Sequence, residues 1–141
     1  MADRDRPQWR VLFDGYLEFY KSELSDDVKQ TTWERLLSGD PNMGGLVAAG
    51  PDDQPVGLAH YIIHPSTWTK GPYCYLEDLF VDPDLRGKGI GRALIADLRR
   101  HAEKSGCERL YWLTQEFNYP GRMLYDTVAE KIPFVVYEDL L

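Results

Sequence analysis

The stretch Arg86-Gly87-Lys88-Gly89-Ile90-Gly91-Arg92 narrows most what this chain can build. Ahead of it, residues 73–81 form a nearly continuous apolar run of strand length, closed by Asp82-Pro83-Asp84. Such runs belong to strands covered on both faces. After it, Ile90, Leu94, Leu98 and Ala102 recur at helical spacing over 90–105, with Gly106 as the stop. Alternating glycines between a strand and a helix let the backbone take positive φ and approach a ligand closely. The unpaired amides and the positive dipole end of the helix then point at whatever the loop holds. With Arg86, Lys88 and Arg92 beside them, these groups make an anion site suited to a pyrophosphate. Two other glycine loops are excluded. Lys88 is followed by Gly89 rather than by the Ser or Thr of a Walker loop, and Arg92 replaces the third glycine of G-x-G-x-x-G.

Helix and strand signals alternate through the rest of the chain. Trp9, Leu12, Phe13, Tyr16, Phe19, Tyr20 and Leu24 form one helical stripe, with Pro7 in its first turn. A second helix is predicted over 26–37, capped by Ser25. The β-rich runs 45–49 and 56–63 flank a turn of Gly, Pro and Asp chemistry and read as a hairpin. A strand over 109–114, a helix over 120–130 and a last strand over 134–137 complete the pattern. The interleaving predicts one α/β domain over 1–141 with a mixed sheet.

Composition limits the function classes. A formal charge of −7 repels phosphate backbones and attracts cationic ligands, so nucleic acid is not expected as a partner while amines or basic peptides are. The two cysteines, Cys74 and Cys107, make no CxxC pair and read as small buried apolar residues of a reducing compartment. The first residues are charged where a signal peptide is apolar, and no apolar run reaches membrane-spanning length. A cytoplasmic protein with no membrane contact is expected. His60 and His64 are about 13 Å apart along a strand, too far to share a metal, and His101 lies in a charged helix and reads as solvated. No metal is expected.

The loop also resembles that of a known family. Arg86-Gly87-Lys88-Gly89-Ile90-Gly91 matches the R/Q-x-x-G-x-G/A loop with which the GNAT superfamily of N-acetyltransferases holds the pyrophosphate of acetyl-CoA. The likeness covers nearly the whole chain. Tyr75-Leu76-Glu77-Asp78-Leu79-Phe80-Val81 is most similar to the diamine (spermidine/spermine) acetyltransferases, and the C-terminal half resembles a small yeast acetyltransferase of histones and polyamines. The resemblance implies a GNAT-like fold, a mixed, mostly antiparallel sheet flanked by helices, here without the family's first strand. It implies that the backbone of Leu79, Phe80 and Val81 pairs with the pantetheine arm, one N–H polarising the thioester carbonyl. Arg86 to Arg92 would hold the pyrophosphate, Asn118 would contact the cofactor, and Tyr125 would protonate the leaving thiolate. A homodimer pairing through 134–137 is implied as well.

The residues add their own reading. Acetyl transfer needs an uncharged amine, a polarised carbonyl and a proton for sulfur, so a base helps. Glu77 and Asp78 are adjacent acids in an otherwise apolar strand, and adjacent strand residues face opposite ways. Glu77 is read as the base, directly or through water, with Asp78 holding a second cationic group. The reverse assignment stays open, and so does a structural role for either. Asn118 is also a good N-cap, and the Trp68 loop is a candidate wall of the acceptor pocket. The expected function is acetylation of a primary amine on a polyamine-like or other small cation. A lysine or protein acetyltransferase and a non-catalytic acyl-CoA-binding module are the alternatives.

Overall fold

The computed structural model describes residues 1–141. After a 3-10 turn, Asp3–Asp5, come α1 (Arg6–Phe19), α2 (Asp26–Leu37), β1 (Met43–Ala49), β2 (Pro55–His64), β3 (Tyr73–Val81), α3 (Ile90–Lys104), β4 (Arg109–Trp112) and α4 (Tyr119–Tyr125). The four strands form one sheet in the order β1-β2-β3-β4. The first two pairings are antiparallel and β3 with β4 is parallel, because α3 carries the chain back along the sheet between them.

Helices cover both faces. The α1 stripe buries Trp9, Leu12, Phe13 and Leu17, which meet Trp33 and Leu36 of α2 and Leu58 and Phe80 of the sheet. On the opposite face Leu94, Ile95, Leu98 and Ala102 of α3 pack on Ala59, Tyr61, Ile63, Cys74 and Leu76. Cys74 is wholly enclosed, and burial pushes its thiol up to about 12, so it behaves as the small apolar residue expected.

One irregularity decides which way β3 presents its acids. His60 pairs with Asp78 but Tyr61 pairs with Leu76, which leaves Glu77 as the extra residue of a β-bulge. The bulge reverses the parity of the strand. Cys74 and Leu76 face α3, yet Phe80, also even-numbered, lies in the α1 core, while Leu79 and Val81 pack toward α3. The expectation that Glu77 and Asp78 face opposite ways is therefore corrected, since strict alternation holds only along a regular strand.

Other departures are local. Leu24 follows α1 but still packs against its core. Strand β4 stops at Trp112, where its pairing with β3 ends, and α4 stops at Tyr125 rather than continuing to 130. The strand expected over 134–137 is not formed. Phe134, Val135, Val136 and Tyr137 are exposed, because a strand exists only as a member of a ladder and no strand of the chain takes them as a neighbour. His101 is half-buried rather than fully solvated, its ring standing against Tyr61 with centroids 4.8 Å apart.

Candidate active site

The parallel pairing of β3 and β4 runs only from Tyr73↔Arg109 to Leu76↔Trp112. Beyond it, β3 keeps β2 on one side as far as Val81 and has no strand on the other. That open edge, the start of α3 and the helix α4 enclose a cleft of about 530 Å³. Leu79, Phe80 and Val81 supply one wall. Arg86, Gly87, Gly89, Ile90, Gly91 and Arg92 supply the floor, and Asn118 and Tyr125 the far wall. The fold thus brings together all the expected cofactor-contacting residues except Lys88, which is exposed and outside the cleft lining.

The glycine loop has the geometry its sequence required. Gly87 and Gly89 sit at φ +76° and +83°, where a Cβ is strained although nothing crowds the space beside them. The first backbone bond of α3 runs from the Ala93 N–H to the Gly89 carbonyl, 2.9 Å. The amides of Ile90, Gly91 and Arg92 therefore have no acceptor within the helix and remain available to an anion. A Cβ on Gly91 would stand 3.3 Å from Leu124, so this glycine lets α4 close over the helix start. Arg86 lies along the rim: its Nε donates to the Val81 carbonyl at 3.1 Å and its guanidinium covers Phe80 and Phe19. Arg92 donates to Thr127 Oγ1 at 2.8 Å and ties α3 to the end of α4.

Asn118 caps α4, accepting from the Gly121 N–H at 3.2 Å, and donates to Thr114 Oγ1 at 3.0 Å. Tyr125 ends the same helix, half-buried at the cleft wall. Burial, reinforced by Tyr20, pushes its hydroxyl up to about 12, so it is a proton donor throughout the neutral range.

Glu77 and Asp78 are not among the residues that line the cleft; around the bulge they join a cluster of acidic and aromatic side chains. Asp78 has a nearly buried side chain; Glu77 is an exposed residue whose carboxyl is pushed up by partial desolvation and then by the charge of Asp78. Tyr75 stacks on Tyr111 at 5.0 Å, and burial, followed by Glu77, pushes its hydroxyl up to about 12. Tyr16 of α1 is raised by burial and by Asp78. Tyr20 is raised by burial and feels Asp78 too, and it also lines the cleft, so it joins the two regions. Neither carboxylate has a Lys or Arg partner: the one basic side chain in contact with either is His60, its Nδ1 2.8 Å from Asp78 Oδ2. Trp68 is exposed on its loop, outside the cleft lining.

From the sequence, His60 is weighed only as a metal ligand and Trp9, Tyr16 and Tyr20 only as members of the α1 stripe, so none of them stands among the expected site residues. His60 is 2% exposed, with its Nε2 2.8 Å from Trp9 Nε1. The signal available was a histidine at a core position of β2, a polar group that burial leaves needing partners. Helical spacing places the tyrosines in a core stripe, and only the packing of α1 over the bulge sets them beside the acids.

A strand splayed from its parallel neighbour, with an anion-binding helix start at the splay, defines an acetyltransferase of the GNAT class. The chain belongs to the acetyltransferase (GNAT) family, whose model matches residues 8–128. Among individual proteins it is 31% identical over 136 residues to the D-amino-acid N-acetyltransferase HPA3 of Saccharomyces cerevisiae, covering 96% of this chain and 84% of that one. It is 36% identical over 76 residues to the thialysine N-epsilon-acetyltransferase of Caenorhabditis elegans, covering 54% of this chain and 47% of that protein's length. The solved structure of AAC(6')-Iy with a CoA-containing bisubstrate analogue superposes at a TM-score of 0.87, over 100% of this chain and 95% of the other, at 23% identity, which shows the shared fold.

Proposed function

We propose that this protein transfers acetyl from acetyl-CoA to a primary amine of a small cationic acceptor by direct attack. The observation that carries the acceptor class is the pair of carboxylates at the β3 bulge, Glu77 and Asp78, which stand among Tyr16, Tyr20 and Tyr75 with no Lys or Arg ion-paired to them. The Asp78 side chain is nearly buried with no resident cation beside it, a costly arrangement that a cationic substrate relieves. Tyrosine faces favour the same ligand.

Acetyl-CoA supplies the thioester. The amides at the start of α3, with Gly87 and Gly89, hold the pyrophosphate. The free edge of Leu79 to Val81 pairs with the pantetheine arm, one of its N–H groups polarising the carbonyl. Asp78 holds an ammonium group of the acceptor, and Glu77 takes the proton from the attacking amine. As the C–N bond forms and the C–S bond breaks, the Tyr125 hydroxyl gives its proton to sulfur. Asn118 fixes the start of α4 and so the place of Tyr125.

The negative charge of Glu77 and Asp78 favours an amine remote from any carboxylate: a polyamine, a diamine or a lysine-type side chain. The relatives' names add D-amino acids and thialysine to the acceptors worth trying. The free thiols of Cys74 and Cys107 support a cytoplasmic location, and the exposed apolar segment 134–137 supports a homodimer. No helix is long and apolar enough to cross a membrane.

The test is release of free CoA from acetyl-CoA against spermidine, diamines, aminoglycosides, lysine peptides, thialysine and D-amino acids. Turnover highest with acceptors bearing a carboxylate-free cationic amine is expected. Acetyl-CoA binding with no turnover of any amine would leave a binding module in place of an enzyme.

A further inference from the structure

We infer that Trp9 and His60 form a buried relay that orients Asp78 and keeps its charge free for the acceptor, making His60 a positioning residue. The inference rests on the reading of Asp78 as the residue that holds an ammonium group.

Hydrogen-bond bookkeeping fixes the ring's protonation. The indole Nε1–H can only donate, so the His60 Nε2 that lies 2.8 Å from it must be the bare, accepting nitrogen. The single proton of the neutral ring is then on Nδ1, which points at Asp78 Oδ2 from 2.8 Å. A doubly protonated ring would set the Nε2 proton against the indole N–H. The contact between His60 and Asp78 is therefore a hydrogen bond from a neutral donor, and it leaves the carboxylate's charge uncancelled.

The surroundings hold this arrangement. The His60 ring lies between Trp9 and Phe13, with centroids 6.0 and 5.3 Å away. Turning the ring over would place carbons at both partners and lose both bonds. The titratable groups around Asp78 are Tyr16 and Tyr20 of α1, His60 of β2, and Tyr75 and Glu77 of β3. None is a resident cation. Because His60 faces Asp78 across the bulge while Trp9 belongs to α1, the relay also ties the tyrosine-bearing helix to the acid.

Two measurements test it. In the intact protein, ring-nitrogen NMR at neutral pH should show His60 protonated at Nδ1 and bare at Nε2. An Nε2-protonated or doubly protonated ring overturns the relay, whether or not any amine is turned over. In the second, His60→Asn places an amide N–H near the Nδ1 position, while His60→Gln places its amide near Nε2 and removes the donor to Asp78. His60→Gln should raise the acceptor KM about tenfold or more, the loss of a hydrogen bond to a charged group. His60→Asn should stay within about threefold of the parent. The KM for acetyl-CoA should be unchanged in both. Equal losses in the two variants, with the acetyl-CoA and acceptor KM values rising together, would reduce His60 to a packing residue. Absence of turnover in the parent would remove the amine reading instead, and the ring nitrogens alone would then decide the relay.

Discussion

The ring of Tyr125 meets Trp112 edge to face, centroids 5.4 Å apart and planes at 62°. The last residue of α4 is thereby anchored to the last residue of β4, at the point where β4 leaves β3 and the cleft opens. An aromatic pair of this kind fixes a ring's position without consuming its hydroxyl, which leaves the Tyr125 oxygen for proton transfer.

Tyr125→Phe should therefore keep the cleft wall and lose the acid. Turnover is expected to fall about 100-fold or more, with acetyl-CoA affinity by calorimetry unchanged. Because the hydroxyl is held up to about 12, kcat in the parent should show no alkaline fall from this group below about pH 10. Unchanged turnover in the variant would remove Tyr125 from the reaction.

Gly89 and Gly39 allow loop strain to be separated from ligand binding. Both lie at positive φ, +83° and +77°, with nothing within 4 Å of an added Cβ. Gly89→Asp and Gly39→Asp should each cost roughly 1–2 kcal/mol of stability from the left-handed backbone, read as similar falls in Tm. Only Gly89→Asp sets a negative charge at the start of α3, so only it should abolish acetyl-CoA binding. Equal affinities in the two variants would move the pyrophosphate away from this loop.

Glu77 has a folded-state pKa raised by burial and by Asp78. A raised carboxyl adds stability below its unfolded value of about 4.3 and loses that contribution as pH climbs through the folded value. Glu77→Gln should thus stabilise the fold at neutral pH relative to the parent, by no more than a few tenths of a kcal/mol for so accessible a group. The difference should vanish in acid. Acceptor affinity should change the other way, weakening in the variant, and in the parent it should strengthen as pH rises through the Glu77 titration. Urea melts at several pH values and acceptor titrations check both signs.

Deleting 131–141 should leave Tm within about a degree, since every residue of that segment is exposed and in no regular element. If two copies pair through 134–137, the same deletion converts a dimer to a monomer by light scattering. A dimer that survives the deletion places its interface elsewhere.

Much of this was legible in the chain itself. Local signals are sufficient where a segment's partners lie within a turn or two of it. The capped helix beginning at Asp26, the strand Tyr73–Val81 and the loop into α3 each carry their own turn residues and apolar period, and the structure forms them where the sequence placed them. The segment 134–137 has strand composition but no neighbour, and composition does not report whether a ladder partner exists.

The sequence by itself determined the strand–glycine loop–helix unit and the anion-binding character of its turn, because positive φ and a helix start are properties of contiguous residues. Only the tertiary structure decided how the acids are used. The bulge at Glu77 arises from the register of β3 against β2, and it brings Asp78 to the face that α1 covers, opposite His60. Register is set by two strands and the helices that press on them, so no reading of β3 alone yields it. The relay from Trp9 through His60 to Asp78 spans three elements, and burial in a shared core is what obliges its polar atoms to find one another.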